Sequence, residues 1–284
     1  MVVTELRQKY NLTSLLKLAN MPRSTYYYWL KVLKKEDKYK ELKDEIKTIF
    51  AENKGRYGYR RITLELKNRG YTINHKTVQK LMNHLGLMSI VRLKRRYSSY
   101  KGTVGKVAKN ILKRDFKATK PNEKWVTDIT EFKVHNEKLY LSPIVDLFNG
   151  EVVSYNISKR PMFSQVLDMI EKAFSKIPND TNLVLHSDQG WQYQMKQYQK
   201  ILKEKGVIQS MSRKGNCLDN ACAENFFGIL KSELFYPKEK EYNNVDELEK
   251  DIIEYMEYYN NKRIKGKLKG MSPVQYRIHS SLIA

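Results

Sequence analysis

Cysteine and long apolar runs are both scarce in this 284-residue sequence. It has two cysteines and no apolar run near the roughly 20 residues that cross a bilayer. Two cysteines exclude a disulfide scaffold, and no charged-then-apolar signal segment opens the chain. Hydrophobic residues still make up 41%, which excludes wholesale disorder and allows one large domain with one or two small ones. The sequence therefore predicts a soluble, cytoplasmic and reduced protein.

Acidic residues are scarce in the first two fifths of the chain. Residues 1–120 hold 30 Lys and Arg against 9 Asp and Glu, whereas residues 121–284 hold 23 against 22. The formal charge of +22 therefore sits almost entirely at one end. A localised positive field is typical of a protein that binds a polyanion, although a solubilising basic surface gives the same count. Because no basic amphipathic helix offers an apolar insertion face, nucleic acid is favoured over membrane.

Residues 1–36 have the pattern of a helix, a tight turn and a second helix. Helical apolar spacing over 12–19 is broken at Asn20-Met21-Pro22, since proline disfavours helix in the residue before it. Ser24 is expected to cap the helix that follows. This predicts a helix-turn-helix that offers Arg23, Ser24 and Thr25 to a major groove. A plain helical hairpin would show the same pattern.

Residues 37–90 repeat the theme with three short helices. The second helix opens at Arg60 and Arg61, and Thr72 to Asn74 can cap the third. The outward face of that third helix is polar and basic, and its predicted DNA contacts are His75, Lys76, Gln79 and Lys80. Residues 91–120 read as a basic linker with few apolar anchors. Arg95 and Arg96 in it could track phosphates, or the segment could be a spacer alone.

From residue 121 the pattern changes to alternating strands and helices. We expect strands over 125–134, 139–147, 151–157, 183–185 and 207–211, with Asn149-Gly150 as a type I′ hairpin turn. Helices are expected over 163–177, 195–205 and 219–235, and a last one over 245–261. This order predicts an α/β domain with a mixed five-stranded sheet, built from an antiparallel hairpin unit and right-handed crossovers.

Three acidic residues occupy unusual positions in this domain. Asp128 lies inside an apolar strand, Asp188 follows a buried strand, and Glu224 opens a helix. A buried carboxylate is costly unless it is paired or binds metal, and strand tips of open α/β sheets are where ligands bind. Three converging oxygen donors suit Mg²⁺ or Mn²⁺. A lone Asp of this kind is more often a cap or turn residue, which is how we interpret Asp146 and Asp219.

Several motifs together resemble one family. The strings WVTDIT, HSDQG and RKGNCLDNACAENFF, with 35 residues between Asp188 and Glu224, resemble the D,D(35)E core of the retroviral-integrase superfamily. More narrowly, with GRYGYRRI, TINHKTVQKLMNHLGL and YYNNKRIKGKLKGMSPVQYR, the chain resembles second-frame products of bacterial insertion-sequence transposases of the IS-three family. The resemblance implies a ribonuclease-H-like catalytic core over 121–236, preceded by all-α helix-turn-helix modules over 1–36 and 37–90, and followed by a C-terminal helix and basic tail over 237–284.

The resemblance also implies DNA cleavage and strand transfer at element ends, with two Mg²⁺ or Mn²⁺ ions held by Asp128, Asp188 and Glu224. Double-stranded DNA is then the partner, with a homo-oligomer forming on it, and an upstream-frame product with a helix-turn-helix and leucine zipper is a further partner. The protein would then act in the cytoplasm, associated with the bacterial nucleoid. No zinc is expected, because no cysteine accompanies His75 and His84. Candidate contacts to phosphates and end nucleotides are Gln189, Arg213, Lys214, Asn216 and Lys231, which falls seven residues after Glu224.

Two other functions fit parts of the pattern. A DNA-binding regulator derived from a transposase would need the basic modules but not the carboxylates. A stand-alone nuclease would need the carboxylates but not two sequence-reading modules. The intact acidic triad favours the transposase over the regulator. For His186, beside Asp188, general acid–base work and a packing role are both open, with packing favoured.

Overall fold

The computed structural model describes residues 2–33, 37–90 and 107–283, so Arg95 and Arg96 lie outside the described residues. The chain divides into two compact units, Met1–Ile49 and Phe50–Ala284. None of the described helices is both long and apolar enough to cross a membrane.

The first unit is helical. It contains α1 (Val2–Leu6), α2 (Leu12–Leu18), α3 (Arg23–Leu33) and most of α4 (Lys40–Glu52). The side chain of Asn11 caps α2 by accepting from the Thr13 amide at 2.9 Å. The expected cap at Ser24 is wrong: α3 already starts at Arg23, and the carbonyl of Pro22 accepts from the amide of Tyr26 at 3.1 Å. Proline at the entrance fixes a helix-compatible backbone, so the helix begins at once.

The second unit opens with α5 (Tyr59–Asn68) and α6 (His75–His84). Asn74 caps α6 as expected, since its side chain accepts from the Lys76 amide at 2.8 Å. Val78, Leu81 and Met82 are buried, while the four predicted contact residues of this helix are exposed. The helix therefore presents its polar face to solvent.

A mixed sheet is the centre of the second unit. Its strands are β1 (Lys124–Thr127), β2 (Thr130–Val134), β3 (Glu137–Asp146), β4 (Val152–Ser158), β5 (Val184–Ser187) and β6 (Ile208–Met211). β1 and β2 both pair antiparallel with β3 in the same register, and β4 pairs with β3 too. β1 pairs parallel with β5, and β5 with β6. The five predicted strand positions are thus confirmed, with six strands because the first is interrupted.

The interruption falls at the residue of greatest interest. The sequence predicts one strand over 125–134, but β1 ends at Thr127 and β2 begins at Thr130. Asp128 turns its carboxylate back onto the backbone, where Oδ1 accepts from the Ile129 amide at 2.7 Å. A side chain that binds its neighbouring amide competes with the strand ladder. This local bond explains why a continuous apolar pattern contains a break.

Helices cover both faces of the sheet. α7 (Phe163–Phe174) and α8 (Lys196–Glu204) pack in a core that contains Trp125 and Leu185. α9 (Ala221–Leu230) packs on the other face with Val126 and Phe132. Successive residues of a strand point to opposite faces, so Trp125 and Val126 separate the two cores. The observed architecture is the predicted α/β class, a ribonuclease-H-like mixed sheet with an all-α region before it.

The hairpin between β3 and β4 differs from its predicted turn. A type I′ turn needs two residues at positive φ, but in this loop only Gly150 has positive φ, at 72°. The loop is longer than two residues: the Gly150 amide donates to the Asp146 carbonyl at 2.8 Å, and the Asp146 carboxylate accepts from the Phe148 amide at 2.8 Å. Asn149 is buried and binds the carbonyl of Pro273. Asp146 is therefore a turn residue, as expected, while Asn149 serves tertiary packing.

The end of the predicted linker belongs to the core. In residues 107–116, which we call the strap, the amides of Ile111 and Leu112 donate to the Ser210 hydroxyl at 3.0 and 3.2 Å. The side chain of Leu112 is buried in the core that contains α9. The strap thus crosses β6 and fixes this part of the chain to the sheet.

The C-terminal part begins where α9 ends. Lys231–Phe235 form a π-helical turn, followed by α10 (Tyr236–Lys238), α11 (Val245–Asn261) and α12 (Pro273–Ile283). The predicted helix over 219–235 is therefore α-helical only from 221 to 230. Glu233 in the π turn accepts from Arg61, Tyr255 and Arg263. This buried cluster joins α5, α11 and the end of α9 within the second unit.

Candidate active site

Strand register brings two of the predicted carboxylates together. Val126 of β1 lies opposite His186 of β5 in a parallel pair. Two residues further along, Asp128 and Asp188 leave the ends of these strands at the same level. Both continue the alternation that faces α9, the helix that carries Glu224 in its first turn. The sheet thus places all three predicted residues at one edge and on one side.

The charges of Asp188 and Glu224 act on the carboxylate of Asp128. Burial raises the pKa of Asp128 well above its usual range, and the charges of Asp188 and Glu224 raise it further. Burial also raises the pKa of Asp188. The Gly190 amide opposes this shift, because it donates a hydrogen bond to Oδ1 at 2.8 Å. Like charges close to a carboxylate disfavour its ionised form, which is the effect that Asp188 and Glu224 have on Asp128. A positive ion at this position would relieve the repulsion.

Asn220 is a partner of Asp128 that sequence analysis missed. It is buried, and its Nδ2 donates to Asp128 Oδ2 at 2.9 Å. Its own Oδ1 is buried with no hydrogen-bond partner. An unpaired buried acceptor is costly, so this oxygen is a natural acceptor for a further donor at the site. The string NCLDNACAE shows an asparagine four residues before Glu224. Nothing in the string indicates that this side chain reaches Asp128 after β1.

His186 has a structural role, as favoured above. It is fully buried, with Nε2 at 3.0 Å from the Asp219 carbonyl and Nδ1 at 2.8 Å from the Ser210 hydroxyl. A carbonyl only accepts, so Nε2 carries the proton and Nδ1 accepts from Ser210. The Ser210 oxygen then receives the two strap amides, which completes its one donor and two acceptor positions. Burial lowers the pKa of His186, so the ring is neutral and links β5, β6, the strap and the turn before α9.

Asp219 is not the helix cap that the sequence suggests. Its side chain is fully buried and receives hydrogen bonds from Arg213, Arg114 and Asn110 at 2.8 to 2.9 Å. These bonds hold the pKa of Asp219 far below its ordinary range, although desolvation acts in the opposite direction. The bond from Arg213 has the largest effect. Arg114 falls in the predicted linker, and its basic surroundings hid its role.

The other predicted DNA contacts fall into two groups. Exposed side chains that could meet a ligand belong to Arg23, Ser24, Arg60, His75, Lys76, Gln79, Lys80, Arg213 and Lys214; Thr25 is half-buried. The remainder already bind protein groups: Arg61 binds Glu233, Gln189 donates to the Ser212 carbonyl, Asn216 accepts from Arg114, and Lys231 donates to the Glu131 carbonyl at 2.9 Å. Arg213 is exposed and bound to Asp219 at once. Lys231 is directed toward β2, which the helical spacing did not show.

The carboxylates are not already drawn together as metal ligands. Within the described ranges, no group of three His, Cys, Asp or Glu side chains has the closeness needed to hold an ion. The donor set still fits a hard divalent cation, since it consists of carboxylate oxygens with an unpaired amide oxygen beside them.

Comparison with known proteins identifies the class. The Integrase core domain model matches residues 118–217, a second Integrase core domain model matches 224–280, and the HTH-like domain model matches 36–95. The chain therefore contains an integrase core domain, and a helix-turn-helix-like domain precedes it.

Relatives identify the family. The chain is 58% identical over 276 residues to transposase InsK of insertion sequence element IS150 from Escherichia coli, covering 97% of this chain and 96% of that protein. It is 37% identical over 242 residues to the IS904 transposase of Lactococcus lactis, covering 84% and 94%, and 30% identical over 273 residues to transposase InsF of IS3A from Escherichia coli, covering 94% of each. The chain belongs to the insertion-sequence transposases with an integrase core.

Solved structures also align with the chain. The HTLV-2 integrase catalytic core domain in complex with magnesium has 21% identity and a TM-score of 0.45, covering 56% of this chain and 98% of that one. The simian T-cell lymphotropic virus intasome has 18% identity and a TM-score of 0.46, covering 77% and 69%.

Proposed function

We propose that this chain is a transposase of the IS-three family that cleaves DNA at the ends of its insertion sequence and joins those ends to target DNA. Asp128, Asp188 and Glu224 form its D,D(35)E triad in this proposal. The observation that carries it is the parallel register of β1 and β5, which sets Asp128 beside Asp188 on the side of α9. The family membership supports it, since relatives along nearly the whole chain are named transposases.

The triad would hold Mg²⁺ or Mn²⁺, two ions in the proposed reaction. Such ions would supply activation of a water or a DNA 3′-hydroxyl as the nucleophile, and stabilisation of the leaving oxygen. The protein's own contribution is to fix the three carboxylates on rigid elements. Asn220 orients Asp128, the Gly190 amide orients Asp188, and the first turn of α9 holds Glu224. No serine or tyrosine nucleophile is needed, because water or DNA itself attacks.

The substrate is double-stranded DNA. The exposed polar face of α6 and the start of α3 supply sequence-reading groups, and the overall charge of +22 supplies affinity for phosphates. Two element ends must be held together, so we expect a homo-oligomer on DNA at the nucleoid. An upstream-frame product with a helix-turn-helix and leucine zipper completes the proposed set of partners.

Asp188→Asn tests the site through stability and activity. It removes one of three repelling charges at nearly constant shape and keeps an oxygen for the Gly190 amide. We expect metal-free melting at or above the wild-type temperature, and loss of most of the stabilisation given by Mg²⁺ or Mn²⁺, which grows as RT ln(1 + [L]/Kd). DNA binding should persist, while cleavage and strand transfer on element-end DNA should be lost.

Asp146→Asn is the matched control. Asp146 is a buried aspartate at the opposite end of β1, where it accepts from the Asn122 and Phe148 amides. Its substitution should lower stability without changing the response to metal. If Asp188→Asn melts well below wild type without metal and still cuts DNA, Asp188 is a structural residue and the triad assignment is wrong. Wild-type binding of element ends without any metal-dependent cutting would instead favour a DNA-binding regulator.

A further inference from the structure

The strap ends in an unusual turn that carries Arg114. Lys113 and Arg114 both have positive φ, 48° and 67°, and the Asp115 amide donates to the Leu112 carbonyl at 2.8 Å across them. Non-glycine residues adopt this conformation only where the surroundings impose it. Asn110 imposes it in part, because its Oδ1 accepts from the Lys113 amide at 2.8 Å. The turn thereby directs Arg114 toward the catalytic side of the unit.

Asp219 holds Arg114 beside a second arginine. Arg114 Nε donates to Asp219 Oδ1 at 2.8 Å, while Arg213 donates through Nε and Nη2 to both carboxylate oxygens at 2.8 and 2.9 Å. The side chain of Asp219 is 0% exposed, whereas those of Arg114 and Arg213 are 42% and 59% exposed. Two guanidinium groups thus share one buried carboxylate and face solvent with an uncompensated positive charge.

Both arginines keep donors for a ligand. A guanidinium has five N–H donors; Arg213 spends two on Asp219, and Arg114 spends one on Asp219 and one on Asn216. In the described part of the chain, Nη1 of each makes no hydrogen bond to protein. Planar guanidinium groups fixed in orientation match the oxygens of a phosphate.

The pair lies next to the candidate catalytic carboxylates. Asp219 is followed by Asn220, whose amide binds Asp128, and four residues later by Glu224. The Asp219 carbonyl also binds His186, two residues before Asp188. Charged groups in such a position would meet the backbone of any DNA that reaches the carboxylates.

We propose that Arg114 and Arg213, held by Asp219, form a binding site for one DNA backbone phosphate beside the cleavage site. This proposal rests on the proposed function, because it takes DNA as the substrate. The ligand is a phosphodiester recognised by charge and geometry and not by base sequence. Asp219 is a positioning residue, since it acts through the two arginines.

The competing explanation is a purely structural role for these three side chains. The three side chains would then only tie the strap to the turn before α9, and DNA would not touch them. The two roles differ in one measurable respect, because a phosphate site is sensitive to the charge of one particular phosphate.

The test is an interference profile with the full-length chain. Binding is measured without metal on a set of element-end duplexes, each with one phosphate replaced by a neutral methylphosphonate. We expect wild type to lose affinity severalfold at one phosphate near the cleavage site. Arg114→Gln and Arg213→Gln should each lose that sensitivity at the same phosphate and keep it elsewhere. Each should also make the log–log salt dependence shallower by about 0.9.

Two further variants keep the result interpretable. Arg277→Gln removes a comparable arginine, 41% exposed and bonded through Nε and Nη2 to Glu151 near the opposite end of the sheet; it should leave the profile unchanged. If a Gln variant fails to fold, Arg213→Lys retains the charge and should weaken the sensitivity without abolishing folding. If folded Arg114 and Arg213 variants keep the wild-type profile, the two arginines have a structural role only and the proposal is overturned.

The assay also separates this proposal from the proposed function. Metal-free binding does not depend on catalysis, so a chain that never cuts DNA could still show the phosphate site. Conversely, normal cleavage with no sensitive phosphate at these arginines would retain the proposed function and reject the site.

Discussion

Asn220 controls the hydrogen bonding of Asp128. Its Nδ2 donates to the carboxylate at 2.9 Å, and Asn220 itself is buried. Asn220→Asp replaces that donor with a fourth carboxylate, which faces Asp128. We expect the free energy of unfolding without metal to fall by about 1–3 kcal/mol, as for an unsatisfied buried polar group. Denaturant titration measures it.

Asn216→Asp is the control for the same chemical change. Asn216 Oδ1 accepts from Arg114 at 2.9 Å, so a new negative charge there meets a positive one. This variant should be as stable as wild type or more so. Equal losses in both variants would mean that Asn220 does not act through Asp128.

Lys265 gives the protein a pH dependence near neutrality. Its Nζ donates to the carbonyls of Asn149 and Gly150 and to the Tyr259 hydroxyl, at 3.0 to 3.2 Å. Burial, followed by the charges of Arg263 and Arg61, lowers the pKa of Lys265 to about 7. An unfolded lysine titrates near 10.4, so the unfolded state binds more protons between these values. Stability from this group therefore rises with pH across that window and is lower below it.

Lys265→Met removes the titrating group and keeps its length. Urea unfolding at pH 7 and pH 9 should show wild type gaining more stability at the higher pH than the variant gains. The difference between the two gains isolates Lys265 from other titrating groups. The same gain in both proteins would mean that the lysine pKa is not lowered.

At the scale of elements, the π-helical turn after α9 holds the buried ion cluster. Glu233 accepts from Arg263 at 2.6 and 2.8 Å and from the Tyr255 hydroxyl at 2.9 Å. Burial favours the protonated acid, but Arg263 and Arg61 outweigh it and lower the pKa of Glu233. Since Arg263 is itself buried, loss of its partner leaves an unpaired charge in the protein interior.

Glu233→Gln should destabilise the protein by about 3–5 kcal/mol, the usual cost of breaking a buried ion pair from one side. Glu254→Gln is the control. Glu254 lies on α11, as Tyr255 does, and forms an exposed ion pair with Lys54. Loss of this pair should cost less than about 1 kcal/mol of stability. Chemical denaturation of both variants compares them directly. A small loss at Glu233 would show that the cluster does not join these elements.

Elements that depend on apolar periodicity were predictable, and those that depend on single hydrogen bonds were not. The strands, α7, α8 and α11 follow from their repeating apolar residues. The break at Asp128 arises from one bond to Ile129, and the strap is held by Ser210 and Asp219, which leave no periodic trace. The strap has one deeply buried apolar anchor, Leu112, so its composition resembled a linker.

The same reasoning applies to the candidate site. Strand tips pointed to Asp128 and Asp188, because position in a sheet can be inferred from pattern. Asn220 and Arg114 could not be found this way, since their partners lie 92 and 105 residues away. The predicted domain boundaries stay a prediction; the structure separates Met1–Ile49 from Phe50–Ala284 instead of dividing at residue 36.

At the scale of the whole molecule, charge should dominate DNA affinity. The formal charge is +22, and the slope of log affinity against log salt should be steep, about −0.9 for each neutralised phosphate. Lys76→Gln and Lys80→Gln, on the exposed face of α6, should each reduce the slope by about that amount if they contact phosphates. Filter binding at several salt concentrations measures it, with Lys200→Gln on α8 as the control. A salt-insensitive affinity would remove nucleic acid as the partner.

The distance between the two aspartates is encoded as a count of residues along two strands. Asp128 and Asp188 meet because each lies two positions beyond a paired residue, Val126 and His186. Inserting a single residue after Val126 would turn the carboxylate to the opposite face of the sheet, where α7 packs. Frame-preserving insertions of one codon there should therefore inactivate the element, whereas the same insertion at exposed Lys240, which lies outside both strands and after Glu224, leaves the strand count intact. In a transposition screen of one-codon insertions, the positions that tolerate no insertion should then cluster in β1 and β5 and cover a much shorter stretch than the folded domain.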